Sequence, residues 1–106
     1  MTVSKLFADV LQECHAGKKT GALFISIAEE SENLLRIYFK EGTIYSISYG
    51  PAKDKECLDI LDCYNLGKAV YFEGMKAPQA SADLPPTDAI ISSVRKNGKE
   101  VQVEVR

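Results

Sequence analysis

Apolar residues recur along the first part of the chain with the period of a helix. They occupy positions i, i+1, i+4, i+5 and i+8 of one stretch: Leu6, Phe7, Val10, Leu11 and Cys14. This spacing places them on one face of an α-helix. Ser4 is a favourable N-cap, and Gly17 can take the left-handed conformation that often ends a helix. The pattern predicts a first helix between these two residues.

Three following segments alternate between residues that suit the two faces of a strand. They are ALFISIA (22–28), LLRIYFK (34–40) and TIYSISY (43–49). A polar cluster at 29–33 and the pair Glu41-Gly42 separate them, and both are turn signals. Consecutive strands with short links predict an antiparallel meander of three strands.

Beyond Gly50-Pro51, which breaks the sheet, the pattern returns to that of a helix. Asp54 can cap a second helix, and its apolar residues share one face: Cys57, Leu58, Leu61 and Tyr64. Gly67 is expected to end this helix, and KAVYFEG (68–74) is expected to be a fourth strand. Proline, alanine and serine dominate residues 76–86, which predicts a loop.

The segment 87–106 permits two interpretations. Thr87 can cap a helix over 88–96, with an acid first, bases last and Gly98 as the stop. Asn97-Gly98 between runs rich in Ile and Val is also a hairpin signal. We favour the helix, followed by a short strand through Val101, Val103 and Val105. The expected fold class is therefore α+β: a mainly antiparallel sheet, a three-strand meander plus a fourth strand, with two or three helices packed on one face.

Composition favours one cytoplasmic domain over residues 1–106. The chain has 106 residues, 45% of them hydrophobic. We expect a core over 4–75, a loop over 76–86 and a C-terminal helix and strand over 87–106. The formal net charge of −2 offers no basic excess for phosphate groups, so we expect no nucleic-acid partner. No apolar run approaches the roughly 20 residues that span a bilayer, and no secretion signal is evident, so we expect no membrane association.

The segment GKKTG (17–21) contains Gly17-Lys18-Lys19-Thr20, which resembles the end of a phosphate-binding loop. Such a loop has a glycine five residues earlier and joins a strand to the start of a helix. Here that glycine is absent, and a helix precedes the segment while a strand follows it. The two lysines would therefore lie at the negative end of the helix. We interpret the segment as a helix end and a turn.

The residues able to carry chemistry do not form a recognisable site. Cys14 and His15 are adjacent on a helix and point about 100° apart, which does not suit a nucleophile and its base. A metal site would need Cys14, His15, Cys57 and Cys63, whose spacing matches no common zinc pattern. We expect all three cysteines to be reduced and packed as small hydrophobic residues. The chain is thus expected to have no catalytic residue, no cofactor and no metal.

Aromatic residues provide the candidate interaction surface. If Leu35, Ile37 and Phe39 face the core, then Phe24 and Tyr38 lie on the other face of the sheet, which can remain open to solvent. We place the surface on this face and on the C-terminal strand: Phe24, Tyr38, Tyr45, Tyr49, Val101, Val103 and Val105. The aromatic residues either stabilise the sheet through cross-strand pairs or form a contact patch. The valines could add a strand to the edge of a partner.

Three segments resemble the N-terminal domain family of bacterial PatA-type response-regulator proteins, a family of unknown function. They are TGALFIS (20–26), IYFKEGTIYSISYG (37–50) and CLDILDCYNLGKAVYF (57–72). The matching positions include Thr20-Gly21, Phe39, Gly42, Gly50, Leu58, Leu61, Gly67 and Tyr71. The sequence departs from the family pattern at Ile47, Tyr64 and Ala69.

The resemblance implies a non-catalytic domain of bacterial signal transduction. Its partners would be proteins, such as response regulators or proteins that control small GTPases. We therefore expect a protein-interaction or oligomerisation module, and a homodimer is one form that it could take. The alternative is a small-ligand sensor with a pocket between the helices and the sheet.

Overall fold

The computed structural model describes residues 2–53, 55–78 and 84–104. Within these ranges the chain forms seven strands and three helices. In order they are β1 (Thr2–Leu6), α1 (Phe7–Ala16), β2 (Gly21–Ile27), β3 (Glu30–Lys40), β4 (Thr43–Tyr49), β5 (Ala52–Lys53), α2 (Lys55–Cys63), β6 (Leu66–Glu73), α3 (Thr87–Asn97) and β7 (Glu100–Glu104).

The described strands form one mixed sheet in the order β1-β7-β6-β2-β3-β4-β5. Neighbouring strands are antiparallel, except that β6 and β7 are parallel. The α+β class with a mainly antiparallel sheet is confirmed. The predicted meander, β2-β3-β4, is only part of this sheet, because β1 and β5 were not predicted and β7 pairs inside the sheet.

The hydrophobic core lies between one face of the sheet and the helices. Leu23, Ile37 and Phe39 point to this face from neighbouring strands, and each is at most 2% exposed. Side chains from all three helices join the same core cluster, for example Leu11, Leu61 and Ile90. We call the opposite side of the sheet the open face.

The first helix begins later than predicted. Residues Thr2–Leu6 form β1, which pairs with β7, and α1 starts at Phe7 with no side-chain cap. Ser4 is therefore a strand residue rather than a helix cap. The predicted apolar face holds from Phe7 to Cys14. Gly17 has φ −79°, and Lys18 takes the left-handed conformation instead, with φ 50°.

The predicted end of the second helix is also wrong. Helix α2 ends at Cys63, and Gly67 lies inside β6. The carboxylate of Glu29 accepts hydrogen bonds from the Asn65 backbone N–H (3.0 and 3.1 Å), and the Asn65 carbonyl accepts one from Ala28 N–H (2.9 Å). These contacts hold the turn that leads into β6. The predicted cap Asp54 lies outside the described residues.

The C-terminal segment contains the favoured helix and strand. Helix α3 ends at Asn97 and is capped by Gly98, whose φ of 63° is left-handed as predicted. Pro86 occupies the N-cap position, and Thr87 is the first helical residue. The Thr87 hydroxyl accepts a hydrogen bond of 3.0 Å from the buried N–H of Ile44 in β4. In the predicted loop 76–86, the described residues 76–78 and 84–86 form neither helix nor strand.

Candidate functional site

The open face carries an aromatic cluster built from four strands. Phe24 in β2 lies 6.4 Å from the Tyr38 ring in β3 and 5.0 Å from the Phe72 ring in β6. Tyr38 lies 6.4 Å from the Tyr45 ring in β4. The strand register explains the cluster, because Ala22 pairs with both Tyr38 and Phe72 and leaves room above itself for their rings.

A β-bulge places Tyr45 in this cluster. The β3–β4 register shifts between Tyr38, which pairs with Ser46, and Phe39, which pairs with Ile44. Tyr45 is the extra residue in β4, and the bulge turns it towards Tyr38. Its hydroxyl accepts a hydrogen bond of 3.0 Å from Ala77 N–H, which holds the segment after β6 against this side of the sheet.

The cluster has a buried base and an exposed rim. Tyr38 is only 4% exposed, whereas Val70 and Phe72 are 41% and 40% exposed. Leu34 lies on the same face of β3, where it pairs with Ser26 of β2, and it is also exposed. Phe72, Val70 and Leu34 were not predicted as site residues. The alternation of β6, which puts Ala69 and Tyr71 on the core face, is the signal that could have identified the first two.

Cations accompany the aromatic cluster. On the stretches Ala22–Ser26, Leu34–Lys40 and Lys68–Phe72, every charged residue is basic: Arg36, Lys40 and Lys68. The guanidinium of Arg36 lies 5.3 Å from the centre of the Phe24 ring, which is a cation–π distance. This part of the open face therefore combines an apolar centre with positive charge, although the chain as a whole is acidic.

Tyr49 does not belong to the aromatic cluster. It packs against the core, and its hydroxyl donates a hydrogen bond to the Glu30 carboxylate. This bond raises the pKa of Tyr49 to about 12 and lowers the pKa of the Glu30 carboxyl. Of the four aromatic residues predicted for the site, the structure brings together Phe24, Tyr38 and Tyr45.

The valines of the C-terminal strand are not available to extend a partner's sheet. Val101 is 1% exposed, and Val103 packs against the core. Strand β7 lies between β1 and β6, so both of its edges have neighbours. This corrects the expectation that it adds a strand to a partner. Val105 lies outside the described residues.

Cys14 and His15 are directed into separate environments. Cys14 is buried, and burial raises the pKa of its thiol. His15 Nδ1 lies 2.8 Å from the Gly42 carbonyl oxygen, and Nε2 lies 3.1 Å from an Asp88 carboxylate oxygen. The ring thus joins α1 to the β3–β4 turn and to the start of α3. This arrangement does not activate the thiol.

The cysteines and acidic residues of the described chain form no metal cluster. Cys57 is buried as predicted, but Cys63 is exposed, which corrects the expectation that all three cysteines pack inside. Within the described residues, no group of three or more His, Cys, Asp or Glu side chains is placed to hold a metal ion.

Two of the cavities in the described part of the chain are small and lie beside the helices. One, between α1 and the sheet, is lined by residues that include Cys14, Lys19 and Tyr71 and has a volume of about 140 Å³. The other, between α2 and α3, also has a volume of about 140 Å³. Lys19 Nζ lies 5.0 Å from the centre of the Tyr71 ring, and burial raises the pKa of the Tyr71 hydroxyl to about 12.

The described helices are all too short or too polar to cross a membrane. Comparison with known proteins gives no match, neither to a family model nor to a curated protein nor to a solved structure. The resemblance to the PatA-type N-terminal domain therefore stays an expectation from the sequence.

Proposed function

We propose that this protein is a non-catalytic protein-interaction module that binds its partner through the open face of the sheet. The observation that carries the proposal is the aromatic cluster with its exposed rim, Val70 and Phe72, on a face that lies opposite the helices. When a partner covers large apolar side chains on a surface, it removes them from water, and this lowers the free energy of the complex. In the resemblance noted above, the setting would be bacterial signal transduction.

The charges on the face define the chemistry of the partner. Arg36, Lys40 and Lys68 lie on strands β3 and β6, which also carry the apolar centre, so the complementary surface is apolar at its centre and carries Asp or Glu beside it. An amphipathic helix with an acidic polar face has this character. Aromatic rings beside cations are also found where single-stranded nucleic acid binds. The overall charge of −2 and the near-complete burial of Tyr38 favour a protein.

A small-ligand sensor, the second function expected from the sequence, has weaker support. Ligand sites usually have volumes of roughly 300–1,000 Å³. The cavity between α1 and the sheet and the one between α2 and α3 are each about 140 Å³, a space that suits a few solvent molecules better than a metabolite. A groove of about 520 Å³ between β1 and α1 is large enough, but it is open and its lining residues are mostly polar, whereas ligand pockets are mostly apolar.

The proposal can be tested by comparing three immobilised forms of the protein in lysate of its native cell. The forms are the wild type, Phe72→Ser on the open face, and Tyr64→Ser as a matched control. Tyr64 is 41% exposed, close to the 40% of Phe72, but it follows α2 and lies away from the aromatic cluster. We expect one protein to be captured by the wild type and by Tyr64→Ser, and lost with Phe72→Ser.

Binding of the purified captured protein to variants of the open face then tests whether the partner is acidic. The double variant Lys40→Glu/Lys68→Glu should weaken the complex at least tenfold, and added salt should weaken the wild-type complex, because the expected partner is acidic. Equal capture by Phe72→Ser, in a sample whose melting curve shows a folded protein, would remove the open face from the proposal. Tight binding of an oligouridylate, lost with Phe72→Ser, would replace the protein partner with RNA.

A further inference from the structure

The two edges of the sheet differ in how well they are protected from pairing with another chain. At one edge, β4 is followed by the two-residue strand β5, and the Thr87 side chain accepts the N–H of Ile44. Short edge strands and side-chain contacts of this kind protect an edge from pairing with other chains. At the other edge, β1 has five residues, Thr2–Leu6, and its described neighbour is β7 alone. An open groove of about 520 Å³ lies between β1 and α1.

The hydrogen bonds to β7 show which groups of β1 point outward. Phe7 N–H donates to the Lys99 carbonyl at 2.9 Å, in register with the β1–β7 ladder. In an antiparallel ladder, hydrogen-bonded and non-hydrogen-bonded pairs alternate. Val3 and Lys5 therefore bond to β7, while the backbone groups of Thr2, Ser4 and Leu6 point away from it.

We propose that β1 pairs with β1 of a second copy of this chain, giving a two-fold symmetric dimer with a continuous sheet. The outward groups of Ser4 would face those of its symmetry mate, so each Ser4 N–H would donate to the Ser4 carbonyl of the partner copy. Thr2 would pair with Leu6 in the same way. An antiparallel edge is complementary to itself about a two-fold axis, which is the symmetry of most dimers.

The charge on β1 is compatible with this pairing. A lysine on an edge strand usually discourages pairing, because it would bring an unpaired charge into the new sheet. Here Lys5 points to the core face and lies 3.1 Å from the Glu13 carboxylate in α1. Each copy therefore neutralises its own lysine. In the proposed register Lys5 lies opposite Val3 of the second copy, and the exposed Leu6 gains a neighbour.

The test compares the molar mass of the whole chain by sedimentation over a range of concentrations. The wild type should form a dimer whose fraction rises with concentration. Ser4→Pro removes one outward N–H without removing a bond to β7, so it should weaken the dimer at least tenfold. Ser4→Ala keeps the backbone N–H and should dimerise like the wild type. Phe72→Ser should also dimerise, because the open face takes no part.

Hydrogen exchange supplies a measurement that does not depend on a substitution. The amides of Ser4 and Leu6 should exchange slowly in the dimer, and faster on dilution. A wild type that stays monomeric at millimolar concentration overturns the proposal, as does a dimer that a folded Ser4→Pro leaves unchanged. A dimer that Phe72→Ser dissociates would also overturn it, and would assign self-association to the open face. The first two outcomes leave the open-face proposal unaffected.

Discussion

At the scale of single residues, Gly21 shows why a glycine begins β2. A Cβ atom at this position would lie 2.4 Å from the Phe72 carbonyl oxygen and 2.6 Å from the Tyr71 hydroxyl oxygen of β6. The Tyr71 ring therefore occupies the space beside Gly21. Thr20-Gly21, which looked at first like part of a phosphate loop, is a structural pair in which the glycine admits an aromatic ring from the neighbouring strand.

Gly21→Ala should accordingly destabilise the fold by about 2–3 kcal/mol, because a backbone carbonyl and a ring cannot both move aside. Gly67→Ala is the matched control in β6. Its Cβ would meet the Ser26 side-chain oxygen at 2.4 Å, which can rotate away and lose its bond to Lys68 N–H, at a cost of about 1 kcal/mol. Urea unfolding measures both values. Equal losses in the free energy of unfolding would mean that the Tyr71 ring can move away from residue 21 at little cost.

Two tyrosines should titrate above the ordinary pKa of a tyrosine. The pKa values of Tyr49 and Tyr71 are raised from 10.0 to about 12 in the folded chain. Because the unfolded chain releases these protons at lower pH, their contribution to stability is complete below about pH 10 and is lost as the pH rises towards about 12. Phenolate absorbance should show late titration, and Tyr49→Phe and Tyr71→Phe should each remove one late group. Titration of Tyr49 or Tyr71 near pH 10 would contradict this.

At the scale of elements, the errors in the sequence prediction have a common cause. Helix α1 and strands β2, β3 and β4 were predicted because long periodic segments carry a local signal. Strand β1 has only five residues, and its pairing with β7 connects positions about 100 residues apart. Local pattern cannot detect that pairing, so Ser4 looked like a helix cap. Gly67 was likewise assigned to a helix end, although its place in β6 is set by pairing with β2.

Thr87 connects α3 to the edge of β4, and its removal tests that connection. Thr87→Val keeps the shape but leaves the buried N–H of Ile44 without its acceptor. We expect a loss of about 1–3 kcal/mol in the free energy of unfolding. Thr20→Val is the control, since the Thr20 hydroxyl accepts the exposed N–H of Glu41 at 3.0 Å. Water can replace that acceptor, so the expected loss is about 0.5 kcal/mol.

Urea unfolding of both threonine variants checks the difference. A Thr87→Val protein as stable as Thr20→Val would mean that the β4 edge does not depend on α3. The shortness of β5 would then be the remaining protection of the β4 edge.

At the scale of the whole molecule, the sequence predicted that the sheet has an aromatic open face, but it predicted only some of the residues on that face. Alternation in β2 and β3 placed Phe24 and Tyr38 correctly. It could not place Tyr45 and Tyr49, which are four residues apart and would share a face in a regular strand. The β-bulge at Tyr45 interrupts this alternation, so Tyr45 lies on the open face while Tyr49 packs against the core. Phe72 was missed because the position of β6 beside β2 is a long-range property.

The aromatic cluster either stabilises the fold or serves a partner, and two phenylalanine variants distinguish these roles. Phe39 is fully buried, and Phe39→Ala should cost about 3–5 kcal/mol because it leaves a cavity in the core. Phe72 is 40% exposed, and Phe72→Ala should cost about 1 kcal/mol, the value of one aromatic pair with Phe24. Chemical unfolding of both variants gives the comparison. A loss at Phe72 as large as that at Phe39 would make the cluster a structural part of the sheet, and the capture experiment would then report misfolding rather than a lost contact. A small loss together with lost capture would assign Phe72 to binding.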